Sequence, residues 1–519
     1  MKKELNISLS PKQASDEQLY RPVLAEKLHV SDDQIKLIQL KRRSIDARQR
    51  NIRINMAFDV YIDELPEARK IEFRYNDVSQ KDPVIVVGAG PAGLFAALRL
   101  IELGYKPIVF ERGKNVSDRK KDIAAIYRDH LVNPDSNFGF GEGGAGTFSD
   151  GKLYTRSKKR GNVTKVLEVL HFNGASEDIL VDAHPHIGTN KLPGIITNIR
   201  KTITDAGGEI HFSQRVADII VEKDTCKGIV LADGSKIRGL AVILATGHSA
   251  RDIYELLYQK GISIEAKSFA VGVRAEHPQE LIDSIQYKQN SRGPYLPAAT
   301  YSFVEQVENR GVYSFCMCPG GIMVPAATAP GEMVVNGMSP SNRNTRFANS
   351  GMVVEIRTED LNEFRHLGAF AGLEFQRKME RLCFKLNGGT QFGPAQRMAD
   401  FVAGRVSQNL PAASYKPGLV ESPLHEKLPR SIAFRLKQAF QMIDKKAKGY
   451  LTNEAVIVGV ESRTSSPIRI PRNEETMEHI RIKGLYPCGE GAGYAGGIVS
   501  SAVDGERCVE AFDQNYRNG

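Results

Sequence analysis

The sequence predicts an α/β fold: a parallel-sheet domain split in two by an inserted α+β domain and preceded by a small α+β module. Three observations carry this reading. The β-branched run PVIVV, residues 83–87, leads into a glycine-rich turn and an apolar helix. Such a continuous run marks a strand covered on both faces. The same strand–turn–helix texture returns over residues 455–519. Between about 265 and 454 it gives way to strands, Pro/Gly turns and one long helical pattern. The expected divisions are therefore 1–80, 81–264, 265–454 and 455–519.

The chain has 519 residues, 41% of them hydrophobic and 25% charged, with a net charge of +9. That composition fits a globular protein with a sizeable core. The lysine-led start lacks the apolar segment of a secretory signal, so a cytoplasmic location with six free cysteines is expected. The apolar stretch 84–100 carries Gly88, Gly90, Gly93 and Pro91, and reads as a strand and helix rather than a membrane span.

In the first module NISLS reads as a strand, and Ser15 with Gln18 as a capping box opening a helix to about Leu28. Ile52, Ile54, Met56, Phe58, Val60 and Ile62 alternate with mostly polar residues, the period of a half-buried strand. Lys41, Arg42, Arg43, Arg48, Arg50 and Arg53 lie before it. They read as a solvated rim, with a surface for RNA or an acidic partner as the sharper alternative. Residues 70–81 read as a polar linker.

VIVVGAGPAGLFAALRLIELGYKPIVFER then holds Gly88, Gly90 and Gly93 as G-x-G-x-x-G in its required context: strand before, helix after, second strand ending at Glu111. This is a Rossmann-like dinucleotide fingerprint. Gly88 permits the tight turn, Gly90 admits the pyrophosphate, and Gly93 allows close helix–strand packing. The helix N-terminus, with Pro91 and Ala92, faces phosphate, and Glu111 is placed to accept from ribose hydroxyls.

Two further segments end strands in glycine turns: Ala245-Thr246-Gly247, and Gly489-Glu490 followed by a helix near Gly497 and Ile498. Together with the fingerprint they resemble the glutathione reductase-like FAD flavoproteins. In those the last motif reads Gly-Asp, where this chain has Glu490. The segments RRSIDAR, GEGGAGTFSDGKL, PHIGTN, FCMCPGG, ESRTSSPIRI and GLYPCGEGAGYAGGI resemble, over nearly the whole chain, a bacterial family of FAD-dependent, or NAD(FAD)-utilising, dehydrogenases. That resemblance implies a discontinuous Rossmann-like FAD-binding domain with an inserted substrate or cap domain. It implies FAD as cofactor and no particular substrate.

The stretch 141–153 formally contains G-x-x-x-x-G-K, from Gly146 to Lys152. A phosphate loop follows an apolar strand and places Ser or Thr after its lysine. Here NFGF precedes and Leu153 follows. The glycines instead read as a second cofactor loop, with Lys152 toward flavin or substrate. The expected cofactor contacts are thus Gly88, Gly90, Pro91, Ala92, Gly93, Glu111, Arg112, Gly143, Gly144, Val216, Ala245, Thr246, Gly247, Gly489, Glu490, Gly497 and Ile498.

No acid–base constellation or metal-ligand spacing stands out. His186 in DAHPHIGTN is either a loop histidine or a flavin or substrate contact, and His184 and His248 carry the same alternatives. Cys316 and Cys318 form a C-x-C that is either buried strand packing or a redox or substrate-side pair. Cys488 reads as packing. Arg463, amid Thr464, Ser465 and Ser466, either clamps an anionic small-molecule substrate or forms an internal ion pair. With no second dinucleotide fingerprint, NAD(P)H is expected as a transient reductant at the flavin, or the substrate itself reduces it. Hydride transfer to flavin N5 is the leading function. A flavin monooxygenase and an RNA-associated flavoprotein are the alternatives.

Overall fold

The computed structural model describes residues 1–66, 71–155 and 161–518. Lys70, the first residue of the expected linker, lies outside them. Its continuation is docked: Phe73 packs edge-on against Phe172, and Val78 is buried and donates to the Ala206 carbonyl.

The N-terminal strands Lys2–Leu9, Ile35–Asp46 and Arg53–Ile62 form an antiparallel sheet with the last strand central. Its helix starts at Glu17 rather than Ser15, because Asp16 is the cap, accepting from the Gln18 amide. The capping box belongs to Ser10 and Gln13 on the preceding turn. Buried Ile7, Phe58 and Val60 share one continuous core with the inserted sheet. Within the basic rim Arg43 pairs with Asp178 and Asp182, and Arg48 with Asp46.

The five-stranded parallel sheet runs in the order Leu485–Pro487, Val242–Leu244, Pro83–Val87, Lys106–Phe110, Glu209–His211. The C-terminal strand thus completes the sheet begun four hundred residues earlier, beside the helices Pro91–Glu102 and Ile498–Asn518. The intervening chain builds a seven-stranded sheet with strands Phe269–Pro278, Phe347–Ile356 and Val456–Glu461 at its centre. Their residues are almost all buried, as expected of strands covered on both faces. The single helix expected from Leu361 to Leu386 is two: a 3-10 segment Asn362–Phe370 and an α-helix Ala371–Leu386, broken at Gly368 with φ 56° and ψ −123°. Only glycine adopts that conformation readily. Among the described residues no helix is long and apolar enough to cross a membrane.

Candidate cofactor and active site

In a parallel sheet the ligand crevice lies beyond the carboxyl ends of the strands. Four strand-end segments meet there: 88–91, 111–113, 245–248 and 489–491, and the glycine-rich loop 141–146 lies across them. Gly88 has φ +104° and its amide donates to the Phe110 carbonyl at 2.8 Å. A Cβ on Gly93 would sit 1.8 Å from the Gly88 carbonyl oxygen. Helix and strand can approach this closely only around glycine. Gly143 donates to the Ala89 carbonyl at 2.8 Å, and a Cβ on Gly144 would lie 3.3 Å from Gly90 Cα. The second loop therefore packs directly on the fingerprint turn. A Cβ on Gly146 would lie 3.2 Å from the Ile498 side chain. The same loop so reaches the first residue of the C-terminal helix.

Sequence reasoning missed the device that shapes this loop. Arg119 is wholly buried and donates from Nε to the Asn137 carbonyl, from Nη1 to that of Glu142 and from Nη2 to that of Phe138, at 2.7–2.8 Å. Burial lowers its pKa, to about 10, with Glu111 and Glu142 pulling the other way, so the guanidinium remains charged at neutral pH. Spacing along a surface-like helix, VSDRKKD, offered no sign of it.

Glu111 takes a different part from the one expected. Its Oε2 accepts from the Ala89 amide at 2.9 Å, and Oε1 from the Gly113 and Gly141 amides at 2.8 and 3.0 Å. A carboxylate has about four acceptor positions, and three of Glu111's are occupied by backbone. The residue ties the fingerprint turn to the second loop. Arg112 pairs with Asp135 and Asp252 and lies over the Phe140 ring. Its guanidinium braces the loop from outside. Val216 starts a strand with its side chain in the core, just after Gln214, whose amide donates to the Glu111 carbonyl. Ala92 is buried where the C-terminal helix crosses: a Cβ on Gly505 would meet its carbonyl at 2.2 Å. That makes Ala92 a packing position.

Which glycines does the fold itself require? Gly88, Gly93 and Gly491 are hemmed in: a Cβ at Gly491 would lie 2.0 Å from the Thr246 carbonyl oxygen. Gly90, Gly247 and Gly496 are different. Their backbones are ordinary, a Cβ on Gly90 would find its nearest atom 4.0 Å away, and at Gly247 and Gly496 nothing lies within 4 Å. Bare backbone lining open space, at two strand ends and before a helix N-terminus, fits a bound dinucleotide. A buried polar orphan points the same way. His248 Nδ1 lies 3.2 Å from Glu490 Oε1, while its Nε2 is buried with no partner among the described residues. Pro91 and Ile498 each open a helix whose first turn faces this space.

The catalytic candidates separate into two places. Residues 150–153 pair with 185–188: Leu153 donates to Pro185, Ile187 to Gly151 and Gly188 to Asp150. Lys152 and His186 are thereby neighbours. The Lys152 ammonium donates to the Met317 carbonyl, beside Cys316 and Cys318. His186 Nε2 contacts the Ser341 carbonyl at 3.0 Å, and burial with nearby Arg343 lowers its pKa below the usual histidine value. His184 is exposed against Tyr154.

Of the two alternatives for Arg463, the structure shows the internal ion pair. Its Nε and Nη2 donate to the two oxygens of Glu380 at 2.6 and 2.9 Å, and Nη1 to Ser249 at 2.9 Å. Arg251 and Glu332 complete the buried network. Its buried charge is thus neutralised within the protein. Cys488 lies with Cys508 and Asp504, their ligand atoms within 4.8 Å. Arg472 fills that cluster, at 2.6 Å from Asp504 and 3.4 Å from Cys508, so a guanidinium stands where a metal ion would.

Family comparisons agree with this anatomy. A model described as "FAD binding domain" matches residues 83–119, one described as "FAD-dependent protein, C-terminal domain-like" matches 268–464, and "Domain of unknown function (DUF8436)" matches 1–61. Among solved structures, the flavin-dependent brominase Bmp2 is 13% identical over 85% of this chain and 80% of its own, with a TM-score of 0.38. A geranylgeranyl bacteriochlorophyll reductase-like protein from Thermoplasma acidophilum is 12% identical over 84% and 79%, with a TM-score of 0.36. A protein of Clostridium beijerinckii (strain ATCC 51743 / NCIMB 8052), named only "Uncharacterized protein", is 42% identical over 98% of both chains. The chain belongs to the family of that clostridial protein, and it is an FAD-binding flavoprotein with a Rossmann-type nucleotide-binding domain.

Proposed function

We propose that this flavoprotein is a dehydrogenase-type oxidoreductase that moves a hydride between a small-molecule substrate and N5 of its flavin. The observation that carries the reading is the set of unhindered glycines, Gly90, Gly247 and Gly496, around the strand ends. Bound there, FAD would supply the hydride-transfer chemistry of its isoalloxazine ring. The protein's share is binding and orientation. The first turn of the Pro91–Glu102 helix offers backbone donors to the pyrophosphate. The His248 imidazole, held by Glu490 through Nδ1, offers Nε2 as a further hydrogen-bonding atom. The Ile498–Asn518 helix directs its N-terminal partial positive charge into the same space, favouring negative charge there. Substrate approaches from the side of the inserted sheet, where Lys152 and His186 lie. Arg463, engaged internally, is not the group that would receive an anionic substrate. A reduced nicotinamide nucleotide visiting the same face, or the substrate itself, supplies the electrons.

The purified protein should be yellow and release FAD on denaturation. Mixed anaerobically with its reductant, its flavin absorbance should bleach in one two-electron step. Protein that is colourless and takes up no added FAD would overturn the reading. Screening NADH, NADPH and small alcohols, amines and acids by that bleaching identifies the substrate class.

A further inference from the structure

The strand Arg310–Cys318 ends in a feature that cofactor binding does not explain. Its register against Phe347–Ile356 runs to Phe315 opposite Gly351 and resumes at Cys318 opposite Asn349. Cys316 and Met317 together face one residue, a β-bulge. Bulges re-aim side chains and recur beside functional sites. Cys316 within it has φ +46°, a conformation rarely adopted by residues with a Cβ. The bulge draws the two free cysteines together, with the Cys318 thiol donating to the Cys316 carbonyl at 3.3 Å. Cys316 is partly exposed and Cys318 wholly buried.

The surroundings are cationic. The Lys152 ammonium is held beside the pair by the Met317 carbonyl. Arg274, wholly buried, donates from Nη2 to the Cys316 carbonyl at 2.8 Å and approaches Cys318 Sγ at 3.4 Å. Glu461 faces Arg274 at 2.9 Å, and Asp150 faces Arg343 at 2.6 Å. Lys152, Arg274 and Arg343 lie about the pair; Glu461 faces Arg274, with Glu276 also acting on it, Asp150 faces Arg343, and Asp182 lies toward His186, itself held toward its neutral form. A thiolate at Cys316 lies beside these cations. The hydrogen bond from Cys318 does most to hold the Cys316 thiol well below its ordinary range. Burial opposes this, and Lys152 and Arg274 reinforce it. The Cys318 thiol is pushed up by the same hydrogen bond and by burial.

We propose that Cys316 and Cys318 form a redox-active dithiol, in which Cys316 is the nucleophilic thiolate, Cys318 the resolving thiol, and a small-molecule disulfide the reaction partner. The Cys316 thiolate attacks one sulfur of the disulfide R–S–S–R′. A Cys316–S–S–R bond forms, the R–S–S–R′ bond breaks, and R′S⁻ leaves and takes up a proton. Cys318 then loses its proton and attacks Cys316 Sγ, expelling RS⁻, which is protonated in turn. The two cysteines give up two electrons, Cys318 gives up one proton, solvent supplies the second, and the partner leaves as two thiols. Thiolate attack of this kind requires a low thiol pKa and access. The proposal does not depend on the flavin reading, since every group it uses belongs to the polypeptide.

The test uses the native full-length chain and the aromatic disulfide dithiobis(nitrobenzoate) at about pH 6, where ordinary thiols react slowly. The expected result is a fast phase releasing about two equivalents of thionitrobenzoate per chain. Peptide mapping should then find an internal Cys316–Cys318 disulfide, with Cys226, Cys383, Cys488 and Cys508 unmodified. Cys318→Ser should release about one equivalent and leave a stable mixed disulfide on Cys316. Lys152→Met should slow the fast phase about tenfold at that pH and much less above about pH 9. Mapping of the unaltered protein decides the matter even where a variant does not fold. A Cys316 that reacts no faster than buried Cys383, or a fast phase that maps elsewhere, overturns the proposal.

Discussion

Arg463 and Glu380 form a two-pronged pair, 2.6 and 2.9 Å between guanidinium nitrogens and carboxylate oxygens, in a place shielded from water. The pair clamps the C-terminal return of the chain to the Ala371–Leu386 helix, and Arg251 joins both to the Rossmann-like half. Removing one partner of such a network strands the other as an unpaired buried charge. Arg463→Ala should therefore destabilise the protein by about 3–5 kcal/mol in denaturant unfolding. Unchanged stability with weakened substrate binding would instead return Arg463 to the role of an anion clamp.

Gly90 and Gly93 share one motif and should fail differently. A Cβ at Gly90 would find its nearest atom, Gly144 Cα, 4.0 Å away, so Gly90→Val should fold with near-normal unfolding behaviour and retain no FAD after gel filtration. A Cβ at Gly93 would collide with the Gly88 carbonyl, so Gly93→Ala should lower stability outright, by about 2–4 kcal/mol if the helix cannot shift. Stoichiometric FAD in Gly90→Val would show that the cradle lies elsewhere.

His248→Ala removes an imidazole whose Nδ1 lies against Glu490 and whose buried Nε2 has no partner among the described residues. Losing one hydrogen bond to a bound ligand costs about 1–1.5 kcal/mol. Fluorescence titration of apoprotein with FAD should show affinity reduced about tenfold, with the fold intact. An unaltered affinity would remove His248 from the cofactor site.

Glu276 gives a prediction about pH. It is buried and accepts from the Ser414 amide at 2.7 Å and from the Ser414 hydroxyl. Burial raises its pKa to about 7, against an ordinary 4.5, with the Ser414 hydrogen bonds opposing. A carboxyl raised on folding favours the folded state in its protonated form. Its contribution is full below about pH 4.5 and is lost as pH rises through about 7. Glu276→Gln should flatten the decline in stability across that interval and leave the variant more stable at higher pH, by about 3 kcal/mol at most. Parallel stability–pH curves for the two proteins would contradict this.

How much of the site could be read beforehand depends on distance along the chain. The fingerprint glycines were legible because their partners lie within one strand–turn–helix unit, where spacing alone sets geometry. The returning strand Leu485–Pro487 was legible by its texture, since a strand covered on both faces must be apolar throughout. Arg119, Glu111 and Arg463 were not legible in their actual roles. A charged side chain in a sequence is consistent with solvent, ligand or an internal partner, and burial decides among these. Asp16 rather than Ser15 caps its helix for a similar reason: both are good caps, and the turn made by Ser10 and Gln13 settles which one has the right backbone.

The sequence by itself determined the architecture, a Rossmann-like domain interrupted by an insertion, and the backbone-lined approach to a dinucleotide. Periodicity and glycine spacing are local, and they act whatever lies far away. Only the tertiary structure decided which charges are internal and which thiols meet. It folds Glu111 onto three backbone amides, locks Arg463 to Glu380, and carries Lys152 across to the bulge that holds Cys316 and Cys318. Coulomb and hydrogen-bond energies depend on separation in space and on exclusion of water, and for residues far apart in the chain those are set only when the inserted sheet closes against the cofactor loops.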